Sequence, residues 1–236
     1  MKLSPKKLQI LTLVAKGFSD KEISQKLQMS TRTVQTHISS IILTLDARNR
    51  TNAVALYKHY HPKWDIVWGN FMVKRIILHW SAGRYYPSEF EKKYYHFLID
   101  VEGKVYAGNY KPEDNDNCTD GFYAAHTGGG NTDSVGVCFC GMHGFTSKAK
   151  CGDFPISKVQ FEAGMKFVAQ LCEKYKLNVS NLTVMTHYEF GKSNPKTSSA
   201  GKIDITYLPP YSWVAKDDVG NFIRSKVRWY KENLRG

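Results

Sequence analysis

Three separated fragments carry residue types that read together as one metal site: Ile76-Ile77-Leu78-His79-Trp80, Thr186-His187 and Lys202-Ile203-Asp204. Each fragment alone is weak, because a single histidine at the end of an apolar run is most often structural. Together they offer two imidazoles and a carboxylate, donors that suit a catalytic zinc and leave a fourth position open to water. Such a centre can bring the pKa of water from ~15.7 toward ~7 and can polarise a carbonyl. Lys202 lies two residues before Asp204, so an extended segment would project both side chains to the same side. An ammonium placed there can stabilise a developing oxyanion. Tyr95, in Tyr95-His96-Phe97, is a second candidate, as hydrogen-bond donor or proton shuttle. His96 reads as a residue that packs or orients within a sheet, His143 as a loop residue, and Glu189 as an exposed acid rather than a partner of the site.

These side chains need a frame. Residues 73–78 form an apolar run suited to a buried strand that ends at His79. Ser88 is placed to cap a short helix through Lys93. Residues 95–99 pair with 105–108 across Glu102-Gly103, a hairpin whose turn needs a residue tolerant of positive φ. A strand over 134–140 follows, then an amphipathic helix over 157–176 carrying Val159, Met165, Val168, Leu171 and Cys172. A strand from Leu182 ends at His187, and a helix over 217–234 carries Phe222, Ile223, Val227 and Tyr230. The alternation predicts an α/β fold with a mixed central sheet flanked by helices, and two strands ending in histidine put the site at the sheet's carboxyl edge. The glycines of His126-Thr127-Gly128-Gly129-Gly130-Asn131 suggest a flexible turn; a phosphate loop is excluded for want of a Gly-Lys-Ser/Thr ending.

The first quarter of the chain differs in character. The net charge is +12 over 236 residues, yet residues 1–64 hold eleven Lys/Arg against three Asp/Glu. That asymmetry predicts a basic module for a polyanion ahead of a nearly balanced domain. Leu8, Leu11, Val14 and Ala15 share a helical face that Gly17 terminates. Ser19 and Glu22 form a capping-box pattern for a short helix burying Ile23 and Leu27. After a turn at Met29-Ser30, a third helix repeats Val34, Ile38, Ile41 and Leu45, leaving Thr31, Arg32, Thr33, Gln35, Thr36 and His37 toward solvent. A fourth begins near Thr51 and buries Val54 and Leu56. Two short helices on a tight turn, the second exposing Arg, Gln, Thr and His, make a helix-turn-helix. His59 and His61 lack a third ligand and read as part of a solvated boundary.

The string Leu3-Ser4-Pro5, Gly17-Phe18-Ser19-Asp20-Lys21-Glu22-Ile23, Val34-Gln35-Thr36-His37 and Arg48-Asn49-Arg50-Thr51-Asn52-Ala53-Val54 resembles the LuxR/GerE-type DNA-binding domain. Lys7, Gln9 and Thr44 depart from that pattern. The resemblance implies that residues 31–45 enter a major groove of double-stranded DNA, with Thr33, Gln35, Thr36 and His37 on the reading face. Lys21, Lys26, Arg32 and Arg50 become phosphate contacts, which position without specifying sequence. An anionic wall polymer is the alternative polyanion. Residues 61–71 then form a linker between this domain, 1–60, and a second domain, 72–236.

The fragments around His79, Tyr95, His187 and Asp204, in that order, resemble the zinc-dependent N-acetylmuramoyl-L-alanine amidases, a family that includes phage lysozyme-type amidases and the peptidoglycan recognition proteins. The resemblance implies Zn2+ on His79, His187 and Asp204, with Tyr95 and Lys202 as the catalytic pair. It places His126 and Asn131 beside a substrate groove. Gly201-Lys202-Ile203-Asp204-Ile205, with Leu208-Pro209 after it, resembles a phage and prophage branch, although Pro-Gly does not follow the last ligand and the 188–200 loop is long. The expected reaction is hydrolysis of the amide joining N-acetylmuramic acid to L-alanine in peptidoglycan. A lysis enzyme with a DNA-binding module fits; a non-catalytic receptor for muropeptides, or a regulator sensing wall fragments, is the alternative. No apolar run approaches the ~18 residues of a membrane span, and no signal-peptide pattern follows Met1. A cytoplasmic protein, reaching the wall by export or lysis, is therefore expected. The five cysteines read as reduced thiols, a Cys118–Cys151 pair being the one disulfide considered.

Overall fold

The computed structural model describes residues 3–62, 64, 73–116, 118–119 and 121–233. Most of the linker expected over 61–71, and the end of the closing helix at Leu234, lie outside them. The chain divides into two compact units, residues 1–71 and residues 72–118 with 122–236.

The first unit holds four helices, α1 (Pro5–Ala15), α2 (Asp20–Lys26), α3 (Thr31–Thr44) and α4 (Arg50–Tyr60). Each begins where a short polar side chain accepts an otherwise orphaned backbone N–H. Ser4, Ser19, Ser30 and Asn49 are the caps, and Ser19 with Glu22 closes the full capping box. Gly17 ends α1 at φ +85°, in the left-handed region that glycine enters without penalty. The core gathers Ile10, Leu11, Ile23, Val34, Ile41, Leu45 and Ala53. On α4 it is Ala53 and Tyr57, four residues apart, that are buried; Val54 and Leu56 are half-exposed, a rotation of the expected stripe by about one residue. His61 stacks on Tyr57, and Trp64 meets that ring edge-on, so neither is free linker.

The second unit is built on a five-stranded sheet in the order β3-β2-β4-β1-β5. Its strands are β1 (Arg75–Trp80), β2 (Phe97–Ile99), β3 (Val105–Ala107), β4 (Ser134–Phe139) and β5 (Val184–Thr186). β2, β4, β1 and β5 run parallel, and β3 pairs antiparallel to β2. The mixed sheet is therefore as expected. Ile76, Ile77, Leu78, Val135 and Val137 are inaccessible, which accounts for the continuous apolar runs of central strands. The β2–β3 hairpin turns at Gly103, φ +85°. There Asp100 Oδ1 accepts the backbone N–H groups of Glu102 and Lys104.

Three helices complete the unit: α5 (Lys158–Lys174), α6 (His187–Ser193) and α7 (Val219–Asn233). Helix α5 buries Phe161, Met165 and Val168. Its Gln160 side chain donates to the carbonyls of Ile99 and Cys140 at 2.8 Å each, tying the helix to the ends of β2 and β4. Val159, expected in the buried stripe, is 62% exposed because Gln160 takes the inward position beside it. Leu182 is likewise exposed, since β5 begins only at Val184.

Candidate metal centre

The register of the sheet brings the first two candidate ligands together. Leu78 of β1 pairs with Thr186 of β5, so His79 and His187 stand next to one another at the carboxyl edge, on parallel neighbours. His187 does not continue β5. It is the first residue of α6, whose N-terminus Thr186 caps by accepting from Glu189 N, while Glu189 Oε2 accepts from Thr186 N at 2.9 Å. The sequence Thr186-His187-Tyr188-Glu189 carried that capping-box signal.

Glu189 is consequently not an exposed acid. It is held by Arg224 of α7, with Nη2 to Oε1 at 2.9 Å and Nη1 to Oε2 at 3.0 Å. Arg224 is buried and also donates to Val184 O, which fastens α6 and the end of β5 to α7.

Asp204 arrives from a different segment. Ile203–Thr206 forms a turn, with Thr206 N bonded to Ile203 O and Ile205 at φ +59°. The segment is therefore not extended as the sequence spacing suggested. Lys202 is exposed at its start, and its charge reaches His79.

His79, His187 and Asp204 are all buried, and their ligand atoms lie within 4.8 Å of one another. Asp204 Oδ2 is 2.9 Å from His79 Nδ1 and 2.9 Å from His187 Nδ1, and the two Nδ1 atoms are 3.1 Å apart. Ligands at ~2.0–2.1 Å in a tetrahedral zinc site stand roughly 3.3 Å apart, close to this triangle. Charge and tautomer point the same way. Burial pushes His79 down to about 4, so its imidazole is neutral near pH 7. Burial opposes ionisation of Asp204, but its close contacts with the His187 and His79 rings outweigh it and hold the carboxyl below its usual range. On the far side of its ring, His187 Nε2 is 2.9 Å from Ser199 Oγ, and that hydroxyl gives its one proton to Gly128 O. Ser199 must then accept, leaving Nδ1 of His187 as a lone pair aimed at Asp204. The donor set fits a divalent cation.

The other expected residues fall as follows. The Tyr95 ring is 5.2 Å from that of His79, centroid to centroid, and packs against Leu98, Cys138 and Cys140. Burial raises its phenol well above 10, so it remains an O–H donor. His96, immediately before β2, is buried. Its Nδ1 accepts from Gly136 N, and Nε2 donates to Asn115 Oδ1.

His126 is buried and Asn131 is half-buried. His126 Nδ1 is 3.2 Å from His79 Nε2, and the His126 ring lies over Gly136, where a Cβ would fall 2.5 Å from His126 Cγ. Asn131 Oδ1 accepts from Thr127 N and shapes the loop. Sequence reasoning missed Thr127, Ser199 and Asn115, buried polar residues whose roles depend on contacts distant in sequence. His143 is an exposed loop residue, as expected. Cys118 and Cys151 are not joined by a disulfide.

On α3, Arg32, Thr33, Gln35 and Thr36 are exposed and His37 is half-exposed, while Val34, Ile38 and Ile41 are buried beneath them. Lys21 is exposed on α2; Lys26 lies over the Phe18 ring. Arg50 is already engaged within the unit. Its guanidinium donates to Asp20 Oδ1 at 2.7 Å and to Phe18 O at 2.8 Å, which locks α4 onto α2. No helix among the described residues is long and apolar enough to cross a membrane.

Comparison with known proteins agrees with this division. Residues 1–57 match the family described as bacterial regulatory proteins, luxR family. Residues 69–201 match the family described as N-acetylmuramoyl-L-alanine amidase. Response regulator protein VraR of Staphylococcus aureus is 39% identical over 59 residues, 25% of this chain and 28% of that protein; its Staphylococcus epidermidis counterpart matches equally. The chain thus spans little more than a quarter of the length of these relatives. Among solved structures, the Drosophila peptidoglycan recognition protein SD matches at 19% identity and a TM-score of 0.36, covering 53% of this chain and 73% of that one.

Proposed function

Because the chain belongs to the N-acetylmuramoyl-L-alanine amidase family and carries a luxR-family helix-turn-helix domain ahead of it, we propose that it is a zinc-dependent peptidoglycan amidase with a DNA-binding module. The observation that carries the reading is the buried triangle of His79, His187 and Asp204. Three lone-pair donors facing one point repel unless a cation or an added proton lies between them, and burial disfavours the proton. His79, His187 and Asp204 would hold the ion. When bound, zinc supplies Lewis-acid chemistry, making water nucleophilic near neutral pH and polarising the scissile carbonyl.

The chain's own groups do the rest. Tyr95, kept protonated by burial, donates to the oxyanion of the tetrahedral intermediate beside His79. Lys202, exposed at the rim, adds positive charge to the same side. Both act where charge develops, which is where a preorganised donor lowers the barrier. The bond cut is the lactyl amide between N-acetylmuramic acid and L-alanine. The exposed face of α3 supports binding of double-stranded DNA, with Arg32 and Lys21 on phosphates and Thr33, Gln35, Thr36 and His37 toward bases. We assign the protein to phage or prophage lysis, made in the cytoplasm and acting on the wall after export or lysis, with the DNA-binding domain used for autoregulation.

The test is digestion of purified peptidoglycan, with the products analysed by mass spectrometry. Stem peptides with a free L-alanine amino terminus are expected, and they should vanish with EDTA and in His79→Ala. Intact peptidoglycan that still binds the protein would make the second domain a receptor. The protein would then be a regulator responding to wall fragments, a reading that the exposed α3 face favours.

A further inference from the structure

The two histidine ligands are oriented from behind by one short stretch of chain. His79 Nε2 is 3.3 Å from Thr127 Oγ1, and Thr127 Oγ1 is 2.8 Å from His126 Nδ1. One residue on, Gly128 O accepts the hydroxyl of Ser199, which accepts from His187 Nε2. Thr127 Oγ1 bridges His79 Nε2 and His126 Nδ1, and Ser199 gives its own proton to Gly128 O. A hydroxyl so committed can only accept from the imidazole. His187 is thereby held as the Nε2–H tautomer with its Nδ1 lone pair turned toward Asp204, and a Thr127 proton directed to His126 Nδ1 would hold His79 in the same way.

The strap that carries these groups is pressed onto the segment that supplies Ser199. A Cβ on Gly128 would collide with Ser198 Oγ, one on Gly129 would lie 2.5 Å from Thr197 Cγ2, and one on Gly130 would collide with the Phe190 ring. Close approach of those side chains, together with φ +77° at Gly129, accounts for the three successive glycines. Thr127 N, held by Asn131 Oδ1, and Gly130 N, bonded to Thr127 O, close the strap on itself. Ser199 is fully buried, as is Thr127, so neither hydroxyl trades its partner for water.

We propose that Thr127 and Ser199 are positioning residues that set the tautomer of both histidine ligands, so that the 127–130 strap clamped to 197–199 determines how tightly the site holds a divalent cation. The proposal rests on the metal reading above. Outer partners of this kind typically change metal affinity 10–100-fold.

Zinc affinity of the full chain, measured by competition with a chromophoric chelator, is the test. Ser199→Ala and Thr127→Val should each weaken zinc binding 10–100-fold, and Ser199→Thr, which keeps the hydroxyl, should recover most of the loss. Tautomer-sensitive ¹⁵N NMR on the unaltered, zinc-loaded protein supplies a readout that needs no variant. Its expected result is Nε2–H and metal-bound Nδ1 for both histidines. Affinities within twofold of the parent in both variants, or an Nδ1–H tautomer at either ring, would overturn the proposal. If the parent itself bound no zinc, the metal reading would fall and this inference with it.

Discussion

Glu189 and Arg224 should be strongly coupled, and the coupling can be measured. Arg224 is 4% exposed and donates through both terminal nitrogens to Glu189, while Glu189 also caps α6 through Thr186 N. Breaking a buried pair by removing one partner costs about 3–5 kcal/mol. The Glu189 side chain retains 24% of its exposure, so the loss should fall toward 2–4 kcal/mol, of which the cap accounts for ~1. At roughly 2–4 °C per kcal/mol for a domain of this size, Arg224→Ala or Glu189→Ala should lower the melting temperature of the second unit by roughly 5–15 °C. Glu189→Gln, which retains an acceptor for Thr186 N, should recover only the cap's share. Differential scanning calorimetry on the two single variants and the double variant gives the coupling energy, expected at about 2 kcal/mol. If the single losses summed to the double loss within ~0.5 kcal/mol, the pair would not be fastening the His187 helix to α7.

Three further outcomes are expected. Tyr95→Phe should lower kcat on peptidoglycan about 10²–10³-fold with zinc content unchanged, as elemental analysis would show; loss of zinc instead would make Tyr95 part of the scaffold. Acid should destabilise the second unit through His96, which burial lowers to about 4. The unfolded imidazole takes a proton near 6.5, whereas the folded one refuses it because Nδ1 accepts from Gly136 N. Stability is full above pH 6.5 and is lost as the pH falls toward 4, by roughly 3 kcal/mol. The pH dependence of the urea midpoint across that window would be the same in His96→Gln as in the parent if His96 were protonated in place. In gel-shift titrations at two salt concentrations, Arg32→Ala should weaken duplex DNA binding for every sequence and reduce the salt slope by about 1. An unchanged slope would remove Arg32 from the phosphate contacts.

Much of the fold could be read from periodicity, because burial imposes it directly. The stripe Val34, Ile38, Ile41 faces the core as expected, and the apolar run before His79 is the sheet's buried second strand from one edge. His79, His187 and Asp204 converge as a set because each residue type fits one chemistry. What misled were features decided by distant partners. His187 looked like the end of a strand until the capping pair Thr186 and Glu189 made it the start of a helix. Lys202 and Asp204 looked extended until the turn at Ile203–Thr206 separated their surroundings. Asn131, read as a groove residue, also holds Thr127 N, and His126 packs over Gly136. Arg50, read as a phosphate contact, also pairs with Asp20.

The in-register meeting of His79 with His187, and the 125-residue separation of His79 from Asp204, also order events in time. Helices α1–α4 close through near neighbours and can fold as soon as they emerge. The His79, His187 and Asp204 triangle cannot assemble until parallel strands far apart in the chain have paired. At 5–20 residues per second, the 144 residues between Tyr60 and Asp204 take roughly 7–30 s to synthesise. During that interval a nascent chain has a completed helix-turn-helix but not yet the His79, His187 and Asp204 triangle.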